Sequence, residues 1–321
     1  MIKINCPDPD KIANEYYDRF DFWMQYNGRK NTPDRLQKQI NLWGKNLAAY
    51  MLKMFYNRRR DIICGDYSSL RNITAEFLRK FRVYIANNHA EFEKFKKKMT
   101  SLFEDFMKAN GVDGKTNGVW LTQQLGTRTC PYCNRQYTFT IKQSKTSPSI
   151  RPQLDHFLPK SKYPLLALSF YNLIPACTEC NRIKRDEVLD IYPYNDDFDS
   201  NGLKFRIDMK DKSNKIVVKA LDTSDFEIVI ENGNKNKNVT RLGLTELYNE
   251  HKDYVAEIIQ KCQAYNSNYY KTLIQTYRGM NMSECDIHRM IWSAYIYEGE
   301  QGRRPLSKLT KDILEQFKVT V

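Results

Sequence analysis

Two C-x-x-C pairs constrain this chain more than any other feature: Cys130–Cys133 in "CPYCNRQYTFTI" and Cys177–Cys180 in "YNLIPACTECNRIKRD". Two residues between thiols let both sulfurs turn toward one ion, and two such turns complete a tetrahedral four-cysteine site. The alternatives are coincidence and thiol–disulfide exchange. Redox use normally places one pair at a helix start in a βαβ pattern, which is missing here. Two pairs among eight cysteines speak against coincidence. The spacing therefore predicts a structural Zn²⁺ held by Cys130, Cys133, Cys177 and Cys180, with no open position for catalysis. It would tie together two loops separated by 43 residues, between Cys133 and Cys177, and would supply folding energy there.

The other four cysteines are scattered: Cys262 lies on an apolar seam, and Cys6, Cys64 and Cys285 read as free thiols. A secreted disulfide scaffold would be shorter and denser in cysteine, so a reducing cytoplasm is the expected compartment. The first twenty residues hold no apolar signal core, and no window approaches 18 uninterrupted apolar residues, so neither a secretory leader nor a membrane span is expected. With 321 residues, 41% apolar and 28% charged, the chain can bury a real core. The 51 Lys and Arg against 38 Asp and Glu give +13, a balance suited to phosphate polymers.

The pattern predicts an α+β chain, mostly helical, in three regions. Residues 1–115 read as helical, 116–200 as the cysteine-bearing centre, and 201–321 as a small antiparallel sheet plus helices. Over 36–54 the apolar positions Leu36, Ile40, Trp43, Leu47, Met51 and Met54 mark one buried helix face. Thr32 is the expected cap and Pro33 suits the first turn. Ile73, Phe77, Phe81 and Tyr84 repeat the pattern, and Glu91–Met107 reads as a third helix. "ANGVDGKTNG" (109–118) is a loop and a boundary. Tyr137, Phe139 and Ile141 alternate as a half-buried strand should, and 142–151 is a polar loop. Strands are expected at Leu203–Met209, at "KIVVKA" and at Phe226–Ile230, ended by "ENGNKNKN" (231–238). Val255, Ile258, Cys262, Tyr265 and Tyr269 then share a helix face.

Between the cysteine pairs sits Asp155-His156, flanked by Leu154 and Phe157. Consecutive strand residues point to opposite faces, so the strand must bend or end there for both to serve one site. Asn172 follows His156 by 16 residues, and Asn181 follows Asn172 by nine, directly after Cys180 at the start of an expected short helix, Thr178–Asp186. Zinc would thereby fix the position of Asn181.

The three stretches "CPYC", "DHFLP" and "NLIPACTECNRIK" together resemble the HNH (ββα-metal) endonuclease family, over residues 128–190. Asn181 stands where the family name implies histidine, and it remains an oxygen donor. The resemblance implies that His156 is the general base that activates water. An ordinary histidine pKa near 6.5 would suit that task. It implies that Asp155 and Asn181 hold one catalytic divalent cation, Mg²⁺ or Mn²⁺, and that Asn172 holds the hairpin and orients the base. Lys184, on the helix face of Asn181, is expected to contact a phosphate, with Arg182 and Arg185 as further candidates; the bland reading of these three is a solvated helix face.

The longer stretch 151–184 is similar to the PtuB-like HNH nucleases of bacterial anti-phage (Septu and retron-type) systems, which implies an SMC-like ATPase partner and a bacterial cytoplasm. The expected substrate is nucleic acid, DNA ahead of RNA. Two alternatives stay open: a zinc-stapled module that binds nucleic acid or protein without cutting, and an RNase of the same fold. His89, His251 and His288 lack ligand spacing to one another and are not expected to serve the site, and "RRR" at 58–60 and "KFKKK" at 94–98 read as charged faces.

Overall fold

The computed structural model describes residues 1–25, 34–141, 149–209, 223–265 and 267–319. Seven helices come first: α1 (Pro9–Gln25), α2 (Arg35–Trp43), α3 (Leu47–Asn57), α4 (Arg59–Cys64), α5 (Tyr67–Asn87), α6 (His89–Lys108) and α7 (Asn117–Leu125). A hairpin of β1 (Gln153–His156) and β2 (Leu173–Ala176) is followed by α8 (Thr178–Lys184). A second hairpin pairs β3 (Phe205–Met209) with β4 (Phe226–Ile230), and both hairpins are antiparallel. The chain closes with α9 (Lys237–Leu242), α10 (Leu244–Asn249), α11 (Lys252–Ala264), α12 (Ser267–Arg278), α13 (Glu284–Trp292) and α14 (Ser307–Gln316). The mostly helical α+β expectation thus matches the described residues. No helix among them is long and apolar enough to cross a membrane.

Local chemistry sets the helix starts. Pro9 opens α1, where a missing N–H costs nothing, and Asp8 Oδ1 accepts from Lys11 N at 3.0 Å. Tyr16, Phe20 and Trp23 on that helix close around Phe106 of α6, with ring centroids 5.3–5.4 Å apart. Edge-on and tilted contacts of this kind suit the ring quadrupoles.

The single helix expected over 36–54 is two. Gly44 takes φ 66, a left-handed value that favours glycine, and Asn46 then caps α3 by accepting from Ala49 N at 2.9 Å. Leu36, Ile40, Met51 and Met54 are nevertheless buried, because the two helices turn the same apolar stripe inward. Thr32 and Pro33 lie outside the described residues, and the cap of α2 is Asp34, accepting from Gln37 N. Ile73, Phe77 and Phe81 are buried on α5, but Tyr84 is exposed.

Tyr137, Phe139 and Ile141 form no strand. Tyr137 and Ile141 make only isolated bridges, to Thr129 and Ile150, and all three side chains are exposed. Alternation marked an extended segment, but among the described residues no neighbouring strand lies there to bury one face. The segment "KIVVKA" lies outside the described residues. Val255–Tyr269 is divided between α11 and α12, which leaves Cys262 half-buried and Tyr269 exposed.

Among the described residues the β3–β4 pair has no third strand, and side chains finish its edges. On the β3 side Asp312 Oδ2 accepts from Phe205 N at 2.8 Å, and Gln316 bonds both Ile207 N and Ile207 O. On the β4 side Asn249 does the same for Ile228. Backbone groups that would template another chain are thereby satisfied. The basic runs also have local partners: Arg58 pairs with Glu76, Arg60 lies over Tyr17, and Lys94 lies over Trp43.

Candidate metal centre and active site

The four predicted cysteines converge. All four are buried, and their sulfur atoms lie within 4.8 Å of one another. A tetrahedral zinc with Zn–S bonds of about 2.3 Å needs S···S edges of about 3.8 Å, and Cys133 Sγ to Cys177 Sγ is 4.0 Å. Backbone N–H groups also point at the sulfurs: Arg135 N to Cys133 and Cys177 N to Cys130, both at 3.4 Å, and Cys180 N to Cys177 at 3.5 Å. Such donors favour thiolates and so suit a cation. The donor set and its spacing fit a structural zinc ion.

Both turns are built for this. Asn134, after Cys133, takes φ 49, a value asparagine tolerates. Its buried amide bonds Thr129 Oγ1 and Gln301 O at 3.0 Å and accepts from Lys308 N at 3.2 Å, tying the first turn to α14. In the second turn Cys177 is the only residue between β2 and α8, and it caps that helix. One of the four clustered cysteines is therefore the hinge of the strand–helix junction.

β1 ends at His156, and Asp155 and His156 face different elements. Asp155 is buried beneath the first cysteine turn and α8. Tyr132 OH donates to its Oδ2 at 2.6 Å, and Lys184 Nζ lies 3.0 Å from Oδ2 and 3.3 Å from Oδ1. Burial pushes the Asp155 carboxyl up from its ordinary value, against the opposing pull of Lys184 and Tyr132. The Tyr132 hydroxyl is raised mainly by its own burial.

His156 faces α6 and the loop after β1. Its ring meets Phe103 edge-on at 4.6 Å, and Nε2 lies 2.9 Å from Ala167 O. A carbonyl only accepts, so Nε2 carries the proton and Nδ1 the lone pair. Burial, ahead of repulsion from Lys160 and Lys184, lowers its pKa to about 3. The ordinary value near 6.5 expected for this residue is therefore corrected: no strand-pattern argument foresees Phe103 closing over the ring.

Asn172 fastens the loop that holds His156. Its Oδ1 accepts from Leu158 N at 2.7 Å, and its Nδ2 donates to Leu158 O and Leu166 O at 3.0 and 3.2 Å. Leu166 precedes Ala167, whose carbonyl orients the imidazole. Asn181 is half-buried on α8, and its amide nitrogen donates to Gln153 Oε1, which turns its oxygen elsewhere.

Lys184 is not on a solvated face. It is fully buried, and besides Asp155 it donates to His156 O at 2.8 Å. The phosphate contact expected for it is corrected: three residues past Asn181, it turns into the hairpin where a buried carboxylate needs a counter-ion. Arg182 and Arg185 are exposed.

Two participants escaped the sequence reading. Tyr132, inside the first C-x-x-C, carries no spacing signal of its own, yet its hydroxyl bonds Asp155. His251 had no spacing signal, yet Nε2 accepts from Arg135 Nε at 3.0 Å beside Cys133. Comparison of the chain with protein-family models, with curated proteins and with solved structures finds no match.

Proposed function

We propose that the chain is a metal-dependent endonuclease of the HNH type, hydrolysing phosphodiester bonds in DNA. The observation that carries this reading is the succession β1–β2–α8, joined through a four-cysteine centre, with Asp155-His156 ending the first strand and Asn181 on the helix. In this reading a water proton passes to His156 Nδ1, hydroxide attacks phosphorus, and the 3′ oxygen leaves. Asn172 and Ala167 hold the imidazole in the tautomer that accepts. Burial keeps His156 neutral at pH 7 but makes it a weaker proton acceptor than an ordinary imidazole. Asp155 and Asn181 offer hard oxygen atoms that suit Mg²⁺ or Mn²⁺, and an ionised carboxylate has lone pairs beyond those used by Tyr132 and Lys184. When bound, the cation would stabilise charge on the phosphate and the departing oxygen. The resemblance to anti-phage nucleases further suggests a bacterial defence role with an SMC-like ATPase partner.

A second reading has one observation in its favour. Both Asp155 oxygens are already engaged by protein groups, one of them a cation, as in a zinc-stapled module that binds without cutting. One experiment separates the two. Supercoiled plasmid, single-stranded DNA and RNA are incubated with the purified chain in Mg²⁺, in Mn²⁺ and in EDTA, beside His156→Ala. The nuclease reading expects metal-dependent cutting that His156→Ala abolishes, and the polymer cut distinguishes DNase from RNase. Cutting by His156→Ala at the wild-type rate removes His156 as the base. Intact polymers throughout, with tight nucleic-acid binding, favour the module.

A further inference from the structure

A cleft of about 370 Å³ opens beside the end of β1 where the strand begins, lined by Tyr137, Phe139, Gln153 and Thr178 among others. Its wall carries the residues expected to form a strand. Tyr137 and Phe139 are instead stacked on each other, 4.5 Å between centroids and 20° between planes, and each ring is nearly half exposed, at 49% and 42%. The Arg128 guanidinium lies over the Phe139 ring, 5.7 Å from its centroid. Gln153, a lining residue, is exposed, and its Oε1 accepts a hydrogen bond from Asn181 Nδ2. It precedes Asp155 by two residues on the same strand face, a rise of about 7 Å.

We infer that this cleft is a nucleobase subsite, receiving one unstacked base of a nucleic-acid strand next to the phosphodiester presented at Asp155 and Asn181. The inference rests on the nuclease reading and adds a specific contact to it. Three features favour a base over a protein side chain. A rigid aromatic pair offers a flat face, and stacking on such faces is how proteins hold single-stranded bases. An amide side chain sits at the edge, where base hydrogen-bonding groups would lie. The charge nearby is Arg128 and Arg151, with no carboxylate among the described lining residues, in a chain of net charge +13. A volume near 370 Å³ suits one nucleotide and is small for a helix or strand of a partner.

The test is equilibrium binding of a fluorescent single-stranded oligonucleotide to the full, zinc-loaded chain without added Mg²⁺ or Mn²⁺, so that nothing is cut. The variants are Tyr137→Ala, Tyr137→Ala with Phe139→Ala, and Tyr137→Trp. Loss of the stack should weaken binding about 5- to 150-fold while leaving the salt dependence unchanged, since no phosphate contact is removed. Tyr137→Trp should keep wild-type affinity, and its fluorescence should be quenched by the oligonucleotide. Zinc content and melting temperature control for folding, and the single alanine decides if the double variant misfolds. Wild-type affinity in the alanine variants, with metal-dependent cutting intact, overturns the subsite and leaves the nuclease reading standing; the rings then serve a protein partner. A wild-type chain that neither binds nor cuts nucleic acid removes both.

Discussion

Lys184 Nζ lies 3.0 Å from Asp155 Oδ2, and neither side chain reaches solvent to more than 5%. The lysine is thus the resident counter-ion of the carboxylate proposed to hold a catalytic cation. Removing one partner of a buried pair leaves the other charge uncompensated, at a cost of about 3–5 kcal/mol. Lys184→Met should lower stability in urea by about that amount. If Asp155 holds the divalent ion, Mn²⁺ should restore part of the loss and should stabilise Lys184→Met more than wild type. Identical Mn²⁺ responses in the two proteins would mean that Asp155 does not bind the metal.

Tyr132 joins the zinc centre to the same carboxylate through a 2.6 Å hydrogen bond. It stands between Cys130 and Cys133, so an ion held by that turn would also aim the hydroxyl. Tyr132→Phe keeps the ring and its packing and removes only the donor. Hydrogen bonds to charged groups contribute about 1.5–3 kcal/mol, and a loss of that size is expected in denaturant with zinc content unchanged. A Tyr132→Phe protein that loses its zinc would instead make the hydroxyl part of the metal site's own support.

Cys177 caps α8 and lies 4.0 Å, sulfur to sulfur, from Cys133. Structural zinc binding is worth about 10–16 kcal/mol in small zinc domains, more than a hairpin of two four-residue strands and a seven-residue helix can replace. Cys130→Ser and Cys177→Ser should both lose zinc and unfold residues around the hairpin, read by elemental analysis and amide exchange. Cys262→Ser, half-buried on α11 and far along the chain, should keep both. Zinc retained by Cys177→Ser at wild-type stability would show that the four sulfurs do not share an ion.

The metal-binding residues were legible because ligand chemistry demands a spacing, and spacing is a property of sequence. The Asn172 hairpin clasp was implied only by the family resemblance, since no ligand spacing singles that residue out. Lys184 was misplaced because its separation from Asn181 names a helix face without naming what packs on that face. Phe103, whose ring meets that of the buried His156, lies 53 residues earlier on α6; only tertiary packing brings it there. Gly44 could have been read as a break, but the apolar periodicity continues across it because α2 and α3 share one core. The Tyr137–Ile141 alternation was real, but strand propensity needs a partner to pair with.

His288, set aside for want of ligand spacing, carries the last prediction. It is 1% exposed, lies flat against Tyr297 with 9° between ring planes, and bonds the Tyr297 hydroxyl through Nδ1 at 2.8 Å. Nε2 is buried with no partner among the described residues. Burial, the largest influence, holds its pKa below the ordinary histidine value. The sign follows from proton counting. Above about pH 6.5 both folded and unfolded chains carry a neutral imidazole, and stability is unaffected. As pH falls through that value, the unfolded chain takes up a proton that the folded chain refuses, so stability declines until the folded pKa is passed. The slope from one such group is at most about 1.4 kcal/mol per pH unit. His288→Phe removes the titrating group from the same aromatic stack. Urea midpoints between pH 7.5 and 5 should therefore fall less steeply for His288→Phe than for wild type. Parallel curves would place the acid sensitivity of this fold at its other buried groups, His156 first among them.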